Sequence, residues 1–244
     1  MHRNSICFLL AAVACTVLPT HAATPAGTIT RESMVTSEIL NKLSVGADVT
    51  FMDRGFDARG MKDDLEARIY GVYIGYDILP WITVFGTVGG CQIKQDETYW
   101  SSGAKWSLGV APNIWEGDLR RPAFLAGKIS LTAMGEISMY ESSQGDAKAD
   151  WKEFAAALLI RYEIFEDAPW SADSVTSLRF SIGPVVSKAN GDMRDNESKW
   201  SFSADKTLGW MATAEWFVAP MFSISGGVES FDSTSVSGSI RLHF

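Results

Sequence analysis

The last ten residues, Ser235-Val-Ser-Gly-Ser-Ile-Arg-Leu-His-Phe244, constrain the fold more than any other stretch. Val236, Ile240, Leu242 and Phe244 share one parity, and Ser235, Ser237, Ser239, Arg241 and His243 share the other. Period-two alternation makes a strand with one apolar and one polar face. No later element is there to cover the apolar face, so this strand is expected to close a sheet whose cover is lipid.

The same residues carry a resemblance. A terminal Phe preceded by apolar residues at alternate positions is similar to the C-terminal signature of bacterial outer-membrane β-barrels. That resemblance implies that the barrel-assembly machinery reads Val236, Ile240, Leu242 and Phe244 as its assembly signal. It also implies a Gram-negative envelope.

The other end agrees. Met-His-Arg is followed by an apolar run from Ile6 to Leu18 and then Thr20-His21-Ala22. A charged start, a short apolar core and a small residue before the cut read as a secretory signal over residues 1–22, with Ala23 as the alternative cleavage point. A lipoprotein reading through Cys15 lacks the usual leucine at the start of its motif. Residues 23–42 are expected to form a periplasmic lead-in or short plug, and residues 43–244 the barrel. No stretch after the signal has the ~18 uninterrupted apolar residues of a spanning helix. Alternating strands escape a hydropathy window, which reconciles this with 46% hydrophobic residues.

Twenty-nine acidic against twenty-one basic residues give −8, and loss of Arg3 with the signal gives −9. That balance argues against nucleic acid. Only Cys91 would remain as a thiol and only His243 as an imidazole, so neither an internal disulfide nor an outer-rim histidine site is expected.

The intervening chain reads as an all-β, antiparallel, up-and-down transmembrane barrel of about ten strands, with eight or twelve as the other even counts. Segments such as Leu43–Met52, Ala67–Ile78, Trp81–Ile93, Trp151–Ile164 and Thr207–Val218 alternate apolar with small or charged residues. Short turns at Pro80 and Pro220 contrast with polar stretches Asp53–Glu66, Lys94–Gly103 and Ala189–Lys206, read as long outer loops. Trp115–Pro122 reads as a turn, and a Ser/Gly/Asp-rich loop is expected to end at Asp150. Amphipathic rings prefer headgroup depth. Tyr76, Trp81, Tyr162, Trp216 and Phe244 are therefore assigned to one belt. Phe51, Trp100, Trp106, Tyr140, Trp151 and Trp210 are assigned to the other.

The polar parity carries Asp48, Asp77, Lys105, Lys128, Glu136, Glu153, Arg161, Glu163, Arg179, Glu215, Glu229 and Arg241. In a membrane barrel this parity lines the lumen. Mixed-sign charges there are expected to pair, Glu163 with Arg161 among them, and to stabilise the lumen without an apolar core. A soluble β-sandwich is the runner-up, but it leaves the aromatic belts unexplained.

Outer-membrane phospholipases, palmitoyl transferases, lipid A deacylases and omptin-type proteases are similar in architecture. Their sites use a histidine near the outer rim, so no catalytic residue is carried over. The segment Asp192-Met-Arg-Asp-Asn-Glu197 lacks the spacing and fixed glycine of a calcium loop. No metal or cofactor is expected. The expected partners are outer-membrane lipid, the assembly machinery and an extracellular ligand at the long loops. The reading is a barrel with a side-chain-filled lumen that acts structurally or by surface binding. A narrow channel is the alternative, and an enzyme comes third.

Overall fold

The computed structural model describes residues 42–58, 61–95, 98–99, 101–119, 127–167, 175–194, 199–219 and 221–244. The expectations for residues 1–41, Trp100, residues 120–122, residues 195–198 and Pro220 lie outside these. Twelve strands follow one another: β1 Leu43–Ala58, β2 Met61–Leu79, β3 Ile82–Gln95, β4 Thr98–Tyr99, β5 Ser101–Leu119, β6 Gly127–Gln144, β7 Ala147–Asp167, β8 Val175–Arg194, β9 Lys199–Ala204, β10 Leu208–Ala219, β11 Phe222–Ser230 and β12 Thr234–His243.

Ten of them close a ring in the order β10-β11-β12-β1-β2-β3-β5-β6-β7-β8 and back to β10. Each neighbour is antiparallel, as chain-adjacent hairpins require. Paired residues can be followed once round the ring, from Lys128 through Glu163, Arg179, Glu215, Ser225, Ser239, Asp48, Gly71, Gly89 and Lys105. The path returns to β6 at Tyr140, twelve residues from its start. A stagger of this kind tilts the strands against the barrel axis. Because it is even, inward residues stay inward around the whole circuit.

The wall is apolar outside. Phe51, Tyr70, Val88, Trp106, Leu158, Val186 and Leu208 are exposed, and each is the last large exposed apolar residue of its strand toward one end, termed distal. The chain terminus, the β1 start and the Pro80 turn lie at the opposite, proximal end. A tilted strand needs about 9–11 residues to cross a bilayer. Strands β10, β11 and β12 have 12, 9 and 10 residues. Strands β1, β2, β7 and β8 have 16, 19, 21 and 20, and their surplus projects beyond the apolar band.

That surplus corrects the expected loops. Asp53–Glu66 is a hairpin, paired from Asp53↔Glu66 to Ala58↔Met61. Within Lys94–Gly103, β3 runs on to Gln95, β4 pairs with it and β5 starts at Ser101. Within Ala189–Lys206, Ala189–Arg194 is the distal part of β8 and Lys199–Ala204 is β9. Trp115–Leu119 belongs to β5, and the connection before Asp150 shrinks to a Gly145–Asp146 turn with Gly145 at φ 59°. These stretches are polar because their outward faces stand clear of lipid, and polarity alone does not separate such a strand from a loop.

Strand β9 changes the ring size. It pairs with β8 through Asn190–Arg194 and with β1 through Phe56–Ala58. Past the short strands β10–β12 it therefore joins β8 directly to β1, and the wall continues as eight strands.

The interior also departs from expectation. Along β7 the inward residues run Ala149 and Trp151, then Glu153, then Ala157 and Leu159, then Arg161 and Glu163. Apolar and ionic layers thus alternate. A distal cluster gathers Met52, Phe56, Ile69, Cys91, Ile93, Tyr140, Trp151 and Phe202. A middle cluster gathers Tyr73, Phe85, Met134, Leu159, Val185 and Met211. The lumen is packed with apolar side chains as well as ion pairs, contrary to the expectation of charges alone.

Tyr140 and Trp151 leave the expected belt as well. They are 1% and 2% exposed and stack at 4.8 Å inside the barrel. Each shares parity with an inward glutamate, Glu136 or Glu153, and parity outweighs the ring's preference for headgroup depth.

Candidate functional site

Ten of the twelve lumen charges predicted from the sequence are buried, and Lys128 and Glu163 are half-buried. The register brings several together with alternating sign. Lys128, Glu163, Arg179 and Glu215 are successive neighbours across β6, β7, β8 and β10. Arg179 donates to Glu163 at 3.0 Å and to Glu215 at 3.2 Å. Glu163 is thus held by Arg179 across the sheet, in addition to having Arg161 two residues away on its own strand. Lys128 also reaches Glu116 at 2.7 Å. Asp77 accepts from Thr83, and Asp48 lies 3.9 Å from Lys105. Glu153 is paired with Arg54 at 2.5 Å and accepts from Ser187 at 3.1 Å. Sequence reading missed Arg54 because it fell within an assumed loop. Glu136 accepts from Ser138 at 3.1 Å, and Glu229 is buried on β11.

Arg241 lies 3.6 Å from Glu215 and over the Tyr73 ring at 4.6 Å. His243 and Ser223 are 2.9 Å apart, and Ser223 donates its one proton to Glu215 at 2.9 Å. The imidazole Nε2 must then be the donor to Ser223. A nucleophilic serine gives its proton to histidine. Here the direction is reversed, so this trio orders the proximal lumen and does not activate Ser223.

At the other end, the two regions singled out as outer loops meet. A cleft of about 740 Å³ opens on the outside of the distal wall, across β7, β8, β9 and β1. Asp57 comes from the β1–β2 hairpin. Asn190, Asp192, Ser201 and Ser203 come from the β8–β9 hairpin, and Asp150 and Lys152 from β7. Alternation turns these side chains outward while Trp151 and Phe202 point into the distal cluster. Asp192 is bound by Lys199 at 2.7 Å and Ser201 at 2.7 Å, and these bonds hold its carboxyl below the usual range. Among the described residues, no group of three His, Cys, Asp or Glu is arranged to hold a metal ion.

Val236, Ile240 and Leu242 are exposed on the outer face of β12, and Phe244 donates its backbone N–H to Leu43 at 2.9 Å across the β12–β1 seam. An outer wall of exposed apolar side chains around an ion-paired interior is the inverse of a soluble barrel. It defines the class: a β-barrel of the outer-membrane type.

Comparison with known proteins assigns no activity. No family model matches the sequence, and no curated protein is detectably similar to it. Among solved structures, the outer membrane protease OmpT from Escherichia coli aligns at 12% identity and a TM-score of 0.40. That alignment covers 89% of this chain and 100% of the other. The outer membrane protein Omp33 of Acinetobacter baumannii aligns at 10% identity and a TM-score of 0.26, covering 83% and 98%. Superpositions this loose say nothing of activity.

Proposed function

We propose that this protein resides in the outer membrane as a sealed barrel and acts through its distal outer surface rather than by conduction or catalysis. The observation that carries the reading is the filled interior. Two apolar clusters alternate with ionic layers across the section. An eight-stranded ring leaves just enough room for side chains, and the distal wall narrows to that size. An aqueous path would have to part the distal cluster, where Trp151 and Phe202 meet Tyr140 and Phe56.

In this reading the distal end faces outward, lipid covers the apolar band, and the assembly machinery reads β12. A ligand is taken at the cleft, because rigid scaffolds present function on their projecting connections. Purified protein in planar bilayers is expected to give no steady porin-size steps. Large, stable single-channel steps would overturn the sealed-lumen reading in favour of a channel.

A further inference from the structure

Three lysines distinguish one side of the distal wall. Lys94, Lys105, Lys148 and Lys199, all in the distal half, are ion-paired with Glu66, Asp48, Glu141 and Asp192. Lys152, Lys188 and Lys206 are exposed, and among the described residues their ammonium groups have no partner. They are also neighbours. Phe154 pairs with Lys188, which puts Lys152 diagonally beside it, roughly 7–8 Å away at the backbone. Val186 pairs with Leu208, and Ser187 donates to the Thr207 carbonyl at 2.6 Å, so Lys206 falls next to Lys188 on the far side. Like charges set side by side repel. In a chain of net charge −8, three clustered cations with no ion pair among the described residues call for an anion.

Their position says which kind. Immediately proximal lies the edge of the apolar band, with Val186 46% and Leu208 66% exposed and Trp210 beside them. Immediately distal, Lys152 borders the polar cleft with Asn190, Ser203 and Asp57. Apolar surface, cations and hydrogen-bonding side chains follow one another along the same strands. Acyl chains, phosphate and saccharide follow one another in the same order along a phosphorylated glycolipid. We propose that this face docks a phosphorylated glycolipid of the surrounding leaflet: chains against Val186 and Leu208, phosphate between Lys152, Lys188 and Lys206, and sugar hydroxyls in the cleft. The proposal rests on the surface-binding reading above and names its ligand class.

Native mass spectrometry of the full barrel in detergent tests it. The probes are a diphosphorylated, acylated glucosamine disaccharide and the same lipid without phosphates, with inorganic phosphate as competitor. The variant Lys152→Gln/Lys188→Gln/Lys206→Gln is compared with Arg68→Gln/Lys94→Gln/Lys148→Gln, which removes as much charge from the same end and leaves the cleft lining untouched. Removing the lipid phosphates, or the first three lysines, is expected to weaken binding by about tenfold or more. The second triple should bind nearly as wild type does, and inorganic phosphate should not compete. Equal losses in the two triples, indifference to the phosphates, or full competition by inorganic phosphate would each overturn it. Should the first triple fail to fold, as judged by heat-modifiable mobility, the single Lys188→Gln variant serves, with a smaller expected loss. Single-channel records on the same protein test the sealed lumen independently, so loss of lipid binding with silent bilayers sinks only the ligand class.

Discussion

A Cβ on Gly46 would meet the Arg241 Cγ at 2.7 Å and collide with the Ile240 carbonyl oxygen. The bare backbone at that point lets the Arg241 guanidinium pass from β12 across β1 to the Tyr73 ring on β2. Parity alone placed Arg241 and Glu215 in the lumen, because side-chain direction is set by the strand's own period. Their partners depend on the stagger between strands, which a single sequence does not encode locally.

Asp53 shows the same limit. It stands two residues distal to Phe51, at the edge of the band. Partial burial raises its pKa, and the nearby Asp64, Glu66 and Asp232 carboxylates raise it further against a hydrogen bond from Ser233 that lowers it. The folded state therefore binds the proton more tightly than the unfolded chain, whose ordinary value is 3.8. Between 3.8 and the raised value, stability falls as pH rises, and at neutral pH the carboxylate is a net cost. Asp53→Asn is expected to raise the melting temperature at neutral pH, with the difference vanishing below pH 3.8. Thermal unfolding of both proteins at the two pH values checks it. A lower melting temperature for the variant at neutral pH would contradict the assignment.

At the scale of the element, β9 is the segment that sequence reading placed least well. Its six residues Lys-Trp-Ser-Phe-Ser-Ala alternate, but a run this short among charges and serines is no stronger a signal than a loop's. The hairpin Asp53–Glu66 was misread for a related reason. Arg54 and Phe56 point inward and Asp57 outward, yet the outward members are acidic because no lipid reaches them. A transmembrane strand is recognised by an apolar outer face, and beyond the band that face is polar. Strand and loop make opposite predictions for β9. Phe202 is 7% exposed and meets Phe56 edge to face at 5.1 Å, whereas Ser203 next to it is exposed. Phe202→Ala is expected to cost about 3–5 kcal/mol, as for other buried aromatic truncations. Ser203→Ala should stay within about 0.5 kcal/mol. Reversible denaturant unfolding in detergent or lipid separates the two. Equal, small effects would mean that β9 is not packed as a wall strand.

Across the whole molecule, the count of about ten crossings was readable because each crossing strand carries its own apolar parity, independent of its neighbours. The change from ten strands to eight was not, since it depends on where β10–β12 stop relative to β1 and β8. That same inequality orients the barrel. Every long strand has its surplus at the distal end, and the exposed apolar residues stop short of it on each. At the proximal end, exposed Trp81 sits at the Pro80 turn itself and exposed Met221 directly before β11, so the band reaches the edge of the wall there. Outer-membrane barrels pair short periplasmic turns with longer extracellular structure. An epitope inserted at the Gly145–Asp146 turn should therefore be labelled on intact cells, whereas one inserted at Pro80 should be labelled only after the outer membrane is permeabilised. Labelling at Pro80 but not at Gly145 would invert the barrel and place the cleft and its three lysines on the periplasmic side. The distal surface would then have no extracellular ligand to meet, so this measurement bears on the lysine face as directly as on the topology.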